Sequence, residues 1–190
     1  MVRIEPNHGF YVVSLQTPDL EEIYDVRAAL ECLAVSLAAG RFTTEELEAE
    51  LLRISKVEIR LETASTESSR TVARMEFLDV VRGFHRLIVK RAGNRRLEAM
   101  IKSLWAQIAV LQRAGAQLGW GMIAIERHRE IIWALLSGDG QGASTLMHRH
   151  IHEVKRLLIA DQTGKVNEQP LSAEPETVER LARTKQENAA

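Results

Sequence analysis

Residues 147–158, MHRHIHEVKRLL, decide the fold class by their periodicity. Met147, Ile151, Val154, Leu157 and Leu158 recur at the three- and four-residue spacing of one helix face, which marks them as buried. His148, Arg149, His152, Glu153, Lys155 and Arg156 fall largely on the opposite, wet face. His148 and His152 are four apart and would suit a metal pair, but they lie on that wet side. His150, beside Met147, Ile151 and Val154, is the inward histidine of the three.

The same spacing extends over most of the chain. A helix is expected from Thr17 or Asp19 to a stop at Gly40. A second follows Thr43 or Thr44, with acidic residues in its first turn. The polar run TASTESSRT interrupts the pattern. A third helix is expected over VARMEFLDVVRGFHRLIVKRA, ending at Gly93, and Asn94 can cap the fourth. The fifth is expected over WGMIAIERHREIIWALLSG, and the sixth starts beyond DGQGA. Six helices and little strand predict an all-α, antiparallel helical bundle over residues 17–161. Ahead of it, residues 1–16 hold two short β-prone runs around a Pro-Asn-His-Gly turn, the pattern of a hairpin. Residues 162–190 are polar and aromatic-poor, and are expected to be a disordered tail.

Composition narrows the function. In 190 residues, 45% are apolar and 27% charged, enough for one soluble domain with a buried core. A net charge of −1 supplies no overall basic field, so nucleic-acid binding would need a local basic surface. Cys32 is the single cysteine, which excludes an internal disulfide framework and fits a cytoplasmic location. It is expected to be a small core residue. No stretch approaches the length of a membrane-spanning helix, and the N-terminus lacks the apolar core of a signal peptide. Trp105, Trp120 and Trp133 read as core or dimer contacts, and RRLEAMIK and RHRE as solvated faces.

Two further helices turn a histidine inward. Leu78, Val81, His85, Ile88 and Val89 share one stripe in the third, and Ile125, His128, Ile132 and Leu135 share one in the fifth. A single inward histidine is usually a hydrogen-bonded core residue. Three on three helices can be partnered together by one divalent cation, and imidazole suits zinc, nickel, copper or iron(II). Spacing alone leaves open whether His85, His128 and His150 converge.

The stretches LEEIYDVRAALECLA, FLDVVRGFHRLIVKRAGN and ERHREIIWALLSGDGQGASTLMHRHI together resemble the effector-binding (FCD) domain of the FadR branch of GntR transcription regulators. The resemblance covers roughly residues 18–159. It implies that His85, His128 and His150 are metal ligands, the three that periodicity also selects. The aspartate that usually supplies a fourth ligand is replaced here by Val81, and Asp79 sits too far around the helix to substitute. Either metal binding has been lost and the histidines serve a polar pocket, or three neutral imidazoles hold a cation that an anionic effector completes. The resemblance also directs Arg27 at an effector carboxylate, although Arg27 and Glu31 are spaced as an intrahelical ion pair. Arg27 and the Val81 position are thus the expected effector-binding residues.

The hairpin resembles the wing of a winged helix-turn-helix domain, without the three helices that should precede it. Arg3 and His8 could then touch phosphate, but weak or no specific DNA binding is expected from the chain as given. The resemblance implies a homodimeric, ligand-sensing regulatory domain rather than an enzyme. Two alternatives remain: a metal-dependent hydrolase or isomerase using the three histidines, and a helical interaction module with structural histidines. Against the enzyme, no HExxH motif is present and no inward carboxylate is expected near the histidines.

Overall fold

The structure, a computed structural model, describes residues 2–5, 9–12, 17–115 and 121–163, with the first two segments described as backbone. Among these, six helices follow a two-stranded ribbon: β1 (Val2–Glu5), β2 (Gly9–Val12), α1 (Thr17–Ala38), α2 (Thr44–Thr63), α3 (Glu67–Arg91), α4 (Arg95–Gly115), α5 (Gly121–Leu136) and α6 (Gly140–Gln162). The strands pair antiparallel with Val2 opposite Val12 and Glu5 opposite Gly9. The expected turn residues 6–8, and so His8, lie outside the described residues, as do Trp120 and the tail from residue 164; of Arg3 only the backbone is described. The helices form the expected all-α bundle.

Local chemistry sets the helix limits. Thr43 accepts a hydrogen bond from the Glu46 amide, and the Glu46 side chain accepts one from the Thr43 amide, a reciprocal cap that starts α2. Thr66 and Ser69 make the same exchange, so α3 begins at Glu67 and absorbs much of the polar run expected to interrupt the pattern. Asn94 Oδ1 accepts from the amides of Arg96 and Leu97 at 3.1 Å each, as expected of a cap for α4. Gly93 takes a φ of +63°, which lets the chain leave α3 without strain. Helix α6 starts earlier than expected: Asp139 caps the Gly142 amide at 2.7 Å, and the glycine-rich run becomes its first turn. Met147, His150, Ile151, Val154 and Leu158 are buried, while Leu157 is only partly so.

Helix α1 lies at the centre of the packing, against α6, α3 and α4, while α2 packs on α3 and α5, and α5 on α6. One continuous core runs through all six helices. Cys32 is half-buried at the α1–α6 seam rather than in the core, and its thiol donates to the Ser144 carbonyl at 3.5 Å. The seam is close: a Cβ at Gly140 would lie 2.7 Å from Ala39 Cβ. Gly140→Val should therefore separate α6 from α1 and lower stability by about 1–3 kcal/mol, the usual cost of overpacking. Urea denaturation checks this; an unchanged midpoint would show that the seam relaxes freely.

Candidate metal centre and adjoining cleft

His85 from α3, His128 from α5 and His150 from α6 converge in the middle of the bundle, all buried. Their ring centroids lie 5.1, 5.4 and 4.5 Å apart pairwise. One nitrogen from each falls within 4.8 Å of the others. The residues chosen from three separate helix faces thus meet at one point. His148 and His152 form a separate pair at the surface, with ring centroids 4.2 Å apart.

The hydrogen bonds around the cluster fix which nitrogens face inward. His85 Nδ1 pairs with Glu31 Oε2, and an ionised carboxylate only accepts, so Nδ1 carries a proton and, in the neutral ring, Nε2 keeps its lone pair. His128 Nδ1 faces the Ala124 carbonyl, another pure acceptor, so its Nε2 is likewise a lone pair. These two Nε2 atoms lie 3.1 Å apart, close enough to share one proton or one cation. His150 Nδ1 is buried without a hydrogen-bond partner among the described residues. Burial holds His128 down at about 3, helped by the neighbouring His85 ring, and burial beside His128, His85, Arg27 and Arg127 holds His150 well below its ordinary value.

Glu31 was not expected here. The expectation of no inward carboxylate near the histidines is overturned: Glu31 is 2% exposed and bonded to one of them. Burial alone would raise its carboxyl, but the Arg27 charge and the hydrogen bonds from His85 and Arg27 outweigh burial and hold it at about 2. Arg27, 1% exposed, donates from Nε to Glu31 Oε1 at 2.8 Å, so the i,i+4 ion pair exists. Its Nη2 lies 3.4 Å from His85 Nε2, and its guanidinium sits 5.2 Å from the centre of the Tyr24 ring. Arg27 is therefore both an ion-pair partner and a neighbour of the cluster. With Arg27 and His85 both on Glu31, its carboxylate is engaged on each oxygen, which disfavours it as a general base.

Val81 is buried one turn before His85 and offers no ligand atom, and Asp79 is exposed. The protein's own donors at the cluster are thus three imidazoles.

Beside His85 a cleft of about 30 Å³ opens between α1, α3 and α4. Arg27, Glu31 and His85 form its buried end. Arg82 and Arg86 from α3 and Trp105 and Gln112 from α4 line the remainder. Arg82 donates to Gln112 Oε1 at 3.0 Å and to the Ala109 carbonyl at 3.1 Å. The Arg86 guanidinium stacks 5.5 Å over the Trp105 ring. Trp105, expected as a core or dimer contact, is a wall of this cleft.

The fold is an all-α bundle with a buried histidine cluster at its centre. Residues 22–153 match the family profile of the FCD domain, and the chain belongs to that family, the regulatory domain of GntR-type transcription regulators rather than an enzyme. Among its relatives is the uncharacterised HTH-type transcriptional regulator YdhC of Bacillus subtilis, 26% identical over 171 residues, covering 88% of this chain and 72% of that protein. The HTH-type transcriptional repressor GlaR of Escherichia coli is 28% identical over 156 residues, covering 80% and 69% respectively. The fold matches the FCD domain of TM0439, a transcriptional regulator, in both metal-free and Zn²⁺-bound structures. The TM-scores are 0.64 and 0.61 at 20% identity; the matches cover 80% and 78% of this chain and 99% and 97% of those.

Proposed function

We propose that this chain senses a small organic acid through a divalent cation held by His85, His128 and His150. The observation that carries this reading is the close approach of the His85 and His128 Nε2 atoms in the buried cluster. Two nitrogens bound about 2.0–2.1 Å from one ion, at tetrahedral or octahedral angles, lie about 2.9–3.4 Å apart. Their 3.1 Å separation falls within that span. With both rings neutral and protonated at Nδ1, the two inner lone pairs repel in a medium that screens them poorly unless a cation lies between them. Each inner nitrogen is backed by an acceptor on the far side of its ring, Glu31 for His85 and the Ala124 carbonyl for His128, the support that metal-binding histidines ordinarily have. The unpartnered nitrogen of His150 points to the same vacancy in the hydrogen bonding. A Zn²⁺-bound form of the structural relative TM0439 adds support.

Three neutral imidazoles leave coordination positions open, and the cleft against His85 gives an anion access to them. Arg27, at the buried end of that cleft, is placed to orient the carboxylate. The chain acts in the cytoplasm as a homodimer, and effector binding shifts the arrangement of attached helix-turn-helix units on DNA, with the hairpin as part of the wing. Among the described residues no helix is long and apolar enough to cross a membrane.

Metal analysis tests this directly. The chain purified without a polyhistidine tag should carry near-stoichiometric zinc, nickel or iron by plasma mass spectrometry, and the His85→Ala, His128→Ala double variant should carry none. No metal in the parent chain after exposure to each ion would overturn the reading.

A further inference from the structure

His148 and His152 take no part in the buried cluster, yet α6 brings their rings together as well. They stand one helical turn apart on its wet face, His148 exposed and His152 partly so, with ring centroids 4.2 Å apart. Among the described residues neither ring has a hydrogen-bond partner, so both present ring nitrogens to solvent. An imidazole centroid lies about 1 Å behind its donor nitrogen, so two rings on one ion at octahedral or tetrahedral angles have centroids about 4.5–5 Å apart. The observed pair is slightly closer than that and reaches the span by a small side-chain rotation. The local charge admits a cation. Asp25 of α1 and Lys155 of α6, the charged groups that act on His152, pair with each other at 2.7 Å, so the lysine charge is already answered.

We infer that His148 and His152 form a second metal site, an open surface chelate for a first-row divalent cation of the nickel, copper and zinc class. The helix already holds the two donors side by side, so little freedom is lost when the second imidazole binds. Among the described residues no third histidine, cysteine or carboxylate stands close enough to join them, and water fills the remaining positions. An ion held by two donors in open water exchanges readily and is lost on desalting, unlike one enclosed by the three buried histidines. The pair brackets His150, so a cation across it spans the turn that presents His150 to the cluster and stabilises α6 there. Neither donor belongs to the cluster, and the surface site therefore does not depend on a cation being held inside.

A column of resin-held Ni²⁺ tests this on the untagged chain, because an immobilised ion reaches exposed histidines and not the buried three. The parent should be retained and released by imidazole, while His148→Ala and His152→Ala, each keeping one ring of the pair, should pass through. Both substitutions put alanine, the strongest helix former, on an outer face of α6, so helical content by circular dichroism should be unchanged. His8→Ala should be retained like the parent. In solution, calorimetric titration with Ni²⁺ should show a binding step in the parent that each single variant weakens at least about tenfold. The surface site falls if the parent is not retained, if either single variant is retained like the parent, if His8→Ala abolishes retention, or if the titrations of parent and variants coincide. In each of those cases the reading of the buried cluster stands on its own test.

Discussion

Arg27→Leu should lower the unfolding free energy by about 3–5 kcal/mol, the cost of leaving one partner of a buried ion pair without the other. Glu31 would then face the core with its charge answered only by the proton on His85 Nδ1. Burial, now less opposed, would drive its carboxyl upward. The double variant Arg27→Leu, Glu31→Leu should recover much of the loss, because two leucines of similar volume remove both desolvated charges. Recovery should stop about 1–3 kcal/mol short of the parent, since His85 Nδ1 loses its acceptor. Urea denaturation of the parent, the two singles and the double measures the coupling. A single-variant loss below about 1 kcal/mol would mean that water reaches Glu31 and that this corner of the cluster is not dry. The same series read for zinc shows whether Glu31 matters to the cation. Glu31→Gln, which keeps an oxygen for His85 but loses its charge, should weaken zinc binding about 10–100-fold.

The histidines were legible in the sequence because each interrupts an apolar stripe of regular period, and a helix leaves little freedom in where such a residue points. Periodicity says which way a side chain faces but not which helices face one another, so convergence needed the structure. Glu31 was missed for a different reason. Its spacing from Arg27, four residues earlier, fits an intrahelical ion pair, which by itself gives Glu31 no direction. Yet Leu20, Tyr24, Arg27, Glu31, Ala34, Val35 and Ala38 form one buried stripe, and the facing rule that selected the histidines also turns Arg27 and Glu31 inward. The early starts of α3 and α6 were hidden by composition. Serine, threonine and glycine signal loops on average, whereas the caps from Thr66 and Asp139 make those runs first turns. The cleft was not readable at all, since its walls come from three helices distant in sequence.

Freed of metal by chelation, the chain should lose stability steadily as pH falls below about 6.5, well before ordinary carboxylates protonate. His128 is held at about 3 by burial and by His85, and His150 is also held low, while both return to about 6.5 in the unfolded chain. The unfolded state then binds protons that the native cluster refuses. The stability of the neutral cluster is fully present above 6.5 and is lost as pH drops toward 3. His128 should remove about 2 kcal/mol between pH 7 and pH 5, and His150 adds to the loss in the same direction. The charged neighbours sharpen the effect, because Arg27 opposes protonation of both rings and Arg127 opposes that of His150, while Glu31 favours it at His128. Glu31 adds a second loss between its unfolded value of about 4.5 and its native value of about 2. Urea midpoints at pH 7.5, 6.5, 5.5 and 4.5 in chelator should fall across the series. His128→Asn should flatten the upper part of that slope even where it lowers stability overall, because asparagine does not titrate. Saturating zinc should steepen the slope, since the cation demands neutral imidazoles and protons compete with it. A flat profile in chelator down to pH 4.5 would show that the cluster accommodates protons in the native state. Its histidines would then be solvated rather than the dry donors that a buried cation site requires.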